Sequence, residues 1–363
     1  MPQTPIDMDR LFEPVELGAL KLRNHIVMSP MTRSRAGSGD APTDLHAEYY
    51  GQRASAGLIV TEGSQPSPAG KGYCRMPGIY SPEQMSGWRK VADAVHREGG
   101  LVVAQIMHCG RIASRLNKDD DSEIVAPSAV RANAKIFTDT AGLVDIDEPR
   151  ALSTEEVSDV VDEYRRAALN AREAGLDGVE LHASSGYLPM QFLSSNTNLR
   201  TDRYGGGAAN RIRFVIEVLE AMGGAIGFDR VGLRICPGLD YNDIHDADPA
   251  ETYGLLLDEA SRLGLAYLHL VHRAFPDFDN LDLVKTHWTG KLILNNELTP
   301  ESAAAALAAG DADAVSFGRA FIGNPDLVAR IRNGIELAGY DRSRVYTPGP
   351  EGYTDYPNAP TGQ

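Results

Sequence analysis

Short apolar runs recur along this chain with helix-forming segments between them, and that alternation restricts the fold more than any other feature. The runs are His25 to Ser29, Gly57 to Glu62, Leu101 to Ile106, Gly178 to Leu181, Val231 to Ile235, Tyr267 to Val271, Lys291 to Leu294 and Ala314 to Phe317. Helical patterns lie between most of them: 47–56, 81–96, 153–174, 209–221, 249–263, 281–286, 299–310 and 324–333. Strands alternating with helices imply a parallel sheet. Eight such units predict a closed (β/α)8 TIM barrel, the alternative being an open doubly wound sheet. An open sheet that binds a dinucleotide carries a Gly-x-Gly-x-x-Gly turn after its first strand. Here that turn reads Pro30-Met31-Thr32-Arg33, which favours the barrel.

The pattern predicts a single α/β domain over residues 1–363. Residues 1–22 form a lead with alternating apolar positions, readable as a small hairpin. Residues 109–150 break the rhythm after the third strand and are expected to cap the active-site end. Loops that long inside a compact domain usually serve function. Residues 338–363 are a polar tail. Helix starts are legible at Ser81-Pro82-Glu83, Ser153-Thr154-Glu155-Glu156 and Thr299-Pro300-Glu301, where a hydroxyl can cap and Pro fits the first turn.

A formal net charge of −15 without a Lys/Arg run argues against a nucleic-acid partner. Three dispersed cysteines, Cys74, Cys109 and Cys236, indicate neither a disulfide framework nor a thiolate metal site. No apolar run approaches a membrane span, and the start carries no basic and apolar leader, so a cytoplasmic protein is expected.

In a (β/α)8 barrel, chemistry sits on the loops that follow the strands. Reading that rim in order yields Thr32, then Thr61 and Glu62, Gln105 and His108, His182 and Tyr187, Arg234, His269 and His272, Asn295 and Asn296, and Gly318 and Arg319. His-x-His and His-Glu-x-x-His spacings are missing, so no metal is expected. The Gly-x-Ser-x-Gly elbow of a serine hydrolase is missing too. Nor is a Lys placed to serve an aldolase. Gly318-Arg319 after the eighth strand suits a phosphate, which barrels often hold there. Arg234 at a barrel mouth needs an anionic partner. Glu62 is one candidate; a cofactor that becomes anionic on reduction is the other. Gln105, both donor and acceptor, suits a uracil-like edge. Together these groups describe a flavin mononucleotide (FMN) site.

The chain resembles the old yellow enzyme family of FMN-dependent ene-reductases from Leu11 to Pro357. The resemblance is carried by Leu11-Phe12-Glu13-Pro14, by Asn24 to Arg33, by Ala47-Glu48-Tyr49-Tyr50 with Gln52 to Gly57, by Gly186-Tyr187-Leu188 with Gln191-Phe192-Leu193, by Arg200 to Gly206, by Phe317-Gly318-Arg319 with Asn324 to Leu327, and by Glu351 to Pro357. It implies tightly but non-covalently bound FMN, with NADPH or NADH as reductant. Pro30, Met31, Thr32, Glu62, Gln105, Arg234, Asn295, Asn296, Gly318 and Arg319 are the implied cofactor residues. The implied reaction passes a hydride from the flavin N5 to the β-carbon of an α,β-unsaturated carbonyl compound. Tyr187 gives the proton, while His182 and Ser185 bind the carbonyl oxygen. Tyr73, Met107 and Tyr346 match positions lining the substrate space. Such proteins act on small molecules as monomers or homodimers.

Three departures stand out. The family pair is His-x-x-Asn or His-x-x-His, whereas this chain reads His182-Ala183-Ser184-Ser185. Gln-Leu-Trp is replaced by Gln105-Ile106-Met107, which implies a roomier pocket. Asn296-Glu297 replaces glycines after the seventh strand and brings a carboxylate toward the expected phosphate. These departures keep two other outcomes open: a flavin reductase acting on nitrate esters, nitroaromatics or quinones, and a flavin-binding protein of degraded activity.

Overall fold

The computed structural model describes residues 7–119, 121–275, 278–295 and 297–360. Eight parallel strands close on themselves: β1 (Ile26–Met28), β2 (Leu58–Val60), β3 (Val102–Ile106), β4 (Gly178–Ala183), β5 (Val231–Ile235), β6 (Tyr267–Val271), β7 (Leu292–Asn295) and β8 (Ala314–Phe317). Each pairs with its neighbours in sequence, and β8 returns to β1. Helices cover the outside and side chains fill the inside, so both strand faces are buried. That is why the strands read as continuous apolar runs rather than alternating ones.

The lead forms the expected hairpin, Val15–Leu17 against Leu20–Leu22. Its Leu17, Leu20 and Leu22 pack on Val27, Leu58, Val103 and Ile293 and close the N-terminal end of the barrel. Gly18 turns the hairpin at φ +57°, and a Cβ there would lie 2.4 Å from the Asp229 carbonyl oxygen. Only glycine fits such a turn against backbone.

The three legible helix starts all hold as capping boxes: Ser81 with Gln84, Ser153 with Glu156, and Thr299 with Ser302. Three helix expectations need correction, the first being 47–56, where the helix is Asp44–Gln52. The helix expected over 209–221 is Ala208–Arg211 followed by Arg213–Ile226. The one expected over 324–333 is only Leu327–Arg332, preceded by a separate turn, Arg319–Gly323. Pro325 cannot donate within a helix and disfavours helical backbone at Asn324.

Two features shape the open end. In the excursion, Lys135–Thr138 pairs with Gly142–Asp145, and Ile136 packs with Met76, Met107 and Tyr187. The tail folds back over β1. The Arg33 guanidinium donates to the carbonyls of Val345 and Gly352 and to the Tyr49 hydroxyl. Arg35 donates to the carbonyls of Arg344, Val345, Gly349 and Glu351. Both arginines are buried, and their clamp brings Tyr346 to the barrel mouth.

Candidate active site

The loop after β4 is fixed from two sides. The Gln191 carboxamide donates to the carbonyls of Cys109 and Gly186, and its oxygen accepts from the Arg111 backbone N–H. Leu188 N–H donates to the His108 carbonyl. The Gly-Tyr-Leu and Gln-Phe-Leu segments thus join the loops after β3 and β4 and aim Tyr187 inward.

Three adjoining cavities form one trough across the mouth. The first, about 580 Å³, is bounded by Met31, Arg234, Asn295, Glu297, Gly318 and Arg319. The second, about 860 Å³, shares Pro30, Met31 and Arg319 with it and adds Ser185 and Tyr346. The third, about 640 Å³, shares Pro30, Thr32, Ser185 and Tyr346 with the second. Its walls include Tyr73, Gln105, Met107, His182 and Tyr187. The trough is polar and cationic at one end and aromatic at the other. Of the described residues implied for cofactor, substrate or catalysis, all line it but Glu62; Asn296 lies outside the described residues. Glu297 faces the first cavity and pairs with Arg319 at 3.4 Å. An anion entering there must take Arg319 from it.

Glu62 is a correction. It is fully buried below the trough and accepts from the Arg33 backbone N–H at 3.1 Å. Burial pushes its pKa up to about 7, with Arg33 working against the rise. The carboxylate that faces Arg234 is instead Glu180, also fully buried. Glu180 accepts from Gln105 at 2.8 Å and pairs with His269 Nδ1 at 2.8 Å. Arg234 donates to His269 Nε2 at 2.6 Å and to the Asn295 oxygen at 2.9 Å. Asn295 passes on to Ser29 Oγ and the Ser316 carbonyl. Burial works to raise the pKa of Glu180, but His269, Arg234 and Gln105 outweigh it and leave it lowered. The signal for Glu180 was in the sequence: a carboxylate inside an apolar strand, two residues before His182 and so on its face of the strand. His108 and His272 are not brought together with this group. His108 is fully buried and accepts from Gly110 N–H, and His272 pairs with Asp279.

His182, Arg234 and His269 stand side by side in register on β4, β5 and β6. The His182 pKa is lowered to about 3 by burial and by the Arg234 charge, so its ring is neutral. Ser184 Oγ lies 3.2 Å from His182 Nδ1, which commits that nitrogen. Tyr187 meets the imidazole edge-on, with ring centroids 5.0 Å apart. Burial holds the Tyr187 phenol well above its ordinary pKa, so it keeps its proton. Ser185 adopts φ +58°, the left-handed region that Asn tolerates better than Ser. The Asn242 amide donates to its carbonyl at 2.8 Å. Ser184 and Asn242 had no motif to announce them.

Four buried histidines share one consequence. The pKa values of His46 and His269 are lowered to about 4, and those of His108 and His182 to about 3, in each case first by burial. The folded state therefore binds their protons less readily than the unfolded chain does. Their stabilisation is complete above an unfolded value of 6.5 and is lost as pH falls toward 3 to 4. Each contributes a slope of up to about 1.4 kcal/mol per pH unit in that window. Glu62 acts oppositely: its contribution is complete below its unfolded value of 4.5 and is lost as pH rises through about 7. The urea midpoint is expected to fall steadily from pH 6.5 to pH 4. A flat profile there would show that these rings are not held neutral.

The fold and trough define a barrel oxidoreductase with room for a nucleotide-like cofactor at the ends of its strands. The chain belongs to the NADH:flavin oxidoreductase / NADH oxidase family, whose model matches residues 10–338. It is an FMN- and NAD(P)H-dependent enzyme of the old yellow enzyme type. It is 38% identical to 12-oxophytodienoate reductase 7 of Oryza sativa subsp. japonica, over 98% of each chain. It is 40% identical to a probable flavin mononucleotide-dependent alkene reductase of Leishmania infantum, over 96% of this chain and 98% of the other. Among solved structures, morphinone reductase superposes with a TM-score of 0.93 at 41% identity, covering 99% of this chain and 98% of the other. The old yellow enzyme homologue from Zymomonas mobilis does so at 0.93 and 38%, covering 96% and 99%.

Proposed function

We propose that the protein reduces the carbon–carbon double bond of small α,β-unsaturated carbonyl compounds at the expense of NAD(P)H. The observation that carries this reading is the pairing of a neutral His182 with a protonated Tyr187 across one aromatic cavity. Bound flavin mononucleotide would supply the hydride chemistry that links the nicotinamide to the β-carbon of the acceptor. The donor set fits that cofactor. Arg319 and the backbone at Gly318 would hold the phosphate. Arg234 and Gln105 would meet the polar edge of the ring, Gln105 keeping its oxygen as an acceptor because its nitrogen serves Glu180. Pro30, Met31 and Thr32 would line its side.

In this reading Ser184 donates to His182 Nδ1, which leaves the imidazole proton on Nε2, facing the cavity. That N–H binds the acceptor's carbonyl oxygen and stabilises negative charge as it develops there. Tyr187 delivers its proton to the α-carbon. Ser185 is too short to match the second donor usual in the family, so His182 carries more of the carbonyl binding. Tyr73, Met107 and Tyr346 shape the apolar end, and the flexible Met107 leaves it wide.

The test is anaerobic reduction of the FMN-loaded protein by NADPH or NADH, followed by mixing with 2-cyclohexenone, an enal, a maleimide and a nitroaromatic. Bleaching by the nucleotide, then reoxidation by the activated alkenes with formation of saturated product, is expected. Reoxidation by the nitroaromatic or a quinone alone would move the assignment to those acceptors. Failure to bleach would indicate a flavin carrier of degraded activity.

A further inference from the structure

We infer that Glu180 is a positioning residue that holds down the reduction potential of the bound flavin, acting through His269, Arg234 and Gln105; the inference rests on the flavin placement proposed above. Glu180 and His269 have no exposed surface, and neither lines the trough. Arg234 and Gln105 do line it. Whatever Glu180 does to a ligand in the trough, it does through them.

The hydrogen bonds behind the trough all run toward Glu180. A guanidinium can only donate, so His269 Nε2, 2.6 Å from Arg234 Nη1, accepts. The imidazole proton therefore sits on Nδ1, 2.8 Å from one Glu180 oxygen. A second row ends on the same ring. Asn295 donates to Ser29 Oγ at 3.0 Å, Ser29 to Ser316 Oγ at 2.9 Å, and Ser316 to His269 Nε2 at 2.8 Å. An imidazole that accepts at one nitrogen and donates at the other is neutral. The second Glu180 oxygen faces Gln105 Nε2 at 2.8 Å. Both carboxylate oxygens accept, so Glu180 is ionised, and it orients the Gln105 amide with its oxygen left for the trough. The Arg234 charge is thus answered by a carboxylate one neutral ring away.

That balance bears on the reduced cofactor. A hydride from NAD(P)H brings two electrons and one proton to the flavin and leaves NAD(P)+. The flavin gains one negative charge unless a second proton follows. Arg234 favours that charge, and the negative Glu180 behind it opposes it, as like charges do at close range in a buried site. Glu180 therefore keeps the reduced flavin a stronger hydride donor than an unbalanced Arg234 would.

The test measures the flavin potential of the FMN-loaded protein by anaerobic equilibration with a reference dye. Glu180→Gln removes the charge and keeps the volume. Its reduction equilibrium constant is expected to rise about 10-fold, which is about 30 mV for a two-electron couple. Glu180→Asp keeps the charge on a side chain one carbon shorter, and its potential is expected to stay close to the original. The visible spectrum of bound flavin reports that each variant is folded and loaded. An unchanged potential in Glu180→Gln would overturn the inference. A raised potential in Glu180→Asp would overturn it as well, whether or not Glu180→Gln retains its flavin, because shape and not charge would then set the value. Arg234→Gln checks the placement itself and is expected to lower the potential. If it leaves the potential unchanged, the polar edge of the flavin does not lie at Arg234, and the placement proposed above fails first.

Discussion

Tyr187→Phe is expected to slow reoxidation of the reduced enzyme by 2-cyclohexenone by about 10²- to 10⁴-fold, the usual contribution of a positioned general acid. The substitution removes one oxygen and leaves the ring in its cluster with Met76, Met107 and Ile136, so packing changes little. Burial keeps the phenol protonated across the working pH range, so the loss should hardly depend on pH between 6 and 9. Reduction of the enzyme by NADPH needs no proton from Tyr187 and should stay near its original rate. Stopped-flow absorbance at the flavin band separates the two halves. Comparable losses in both would mean that the ring places the ligands and does not supply the proton.

Glu180→Ala is expected to cost about 3–5 kcal/mol of stability, the penalty for leaving a buried charge without its compensating charge. Glu180 is the carboxylate that faces the buried Arg234, and it also receives His269 and Gln105. Its removal leaves a guanidinium inside the barrel without an anion and two donors without an acceptor. Glu180→Gln keeps one of the two acceptor oxygens and the side-chain volume and should cost less than Glu180→Ala, although the charge and one acceptor are lost. Urea unfolding at pH 7.5 measures both. A cost below about 1 kcal/mol for Glu180→Ala would show that water or a moved side chain reaches Arg234. Flavin should shield the loss in part, since any ligand of the folded state raises apparent stability.

The barrel was legible because its cause is local. Each strand must bury both faces, so each reads as an apolar run, and three of the helices announce themselves with the caps Ser81, Ser153 and Thr299. Much of the rim was legible for the same reason: polar groups at the ends of apolar strands reach the mouth at His182, Arg234 and Asn295, though not at Glu62. Pairings across the barrel were not legible that way. Arg234 called for an anion, and Glu62 ends one apolar strand while Glu180 sits inside another. Only the closed barrel shows that Glu62 turns down against Arg33 while Glu180 turns in toward Arg234. Ser185 illustrates the remaining gap. Its identity marked a departure, but its left-handed backbone and its tie to Asn242 depend on a loop 57 residues away.

By itself, then, the amino-acid order determined an eightfold alternation, the ends of its strands and the residue types available at each end, because secondary structure and burial follow from spacing and side-chain chemistry. The tertiary structure decided which of those residues face one another. Gly186 admits Asn242, Arg111 holds it, and Tyr73 meets Tyr187, none of which any local pattern specifies. Hydrogen bonds act over about 3 Å, and only the closed barrel brings residues so distant in the chain within that reach.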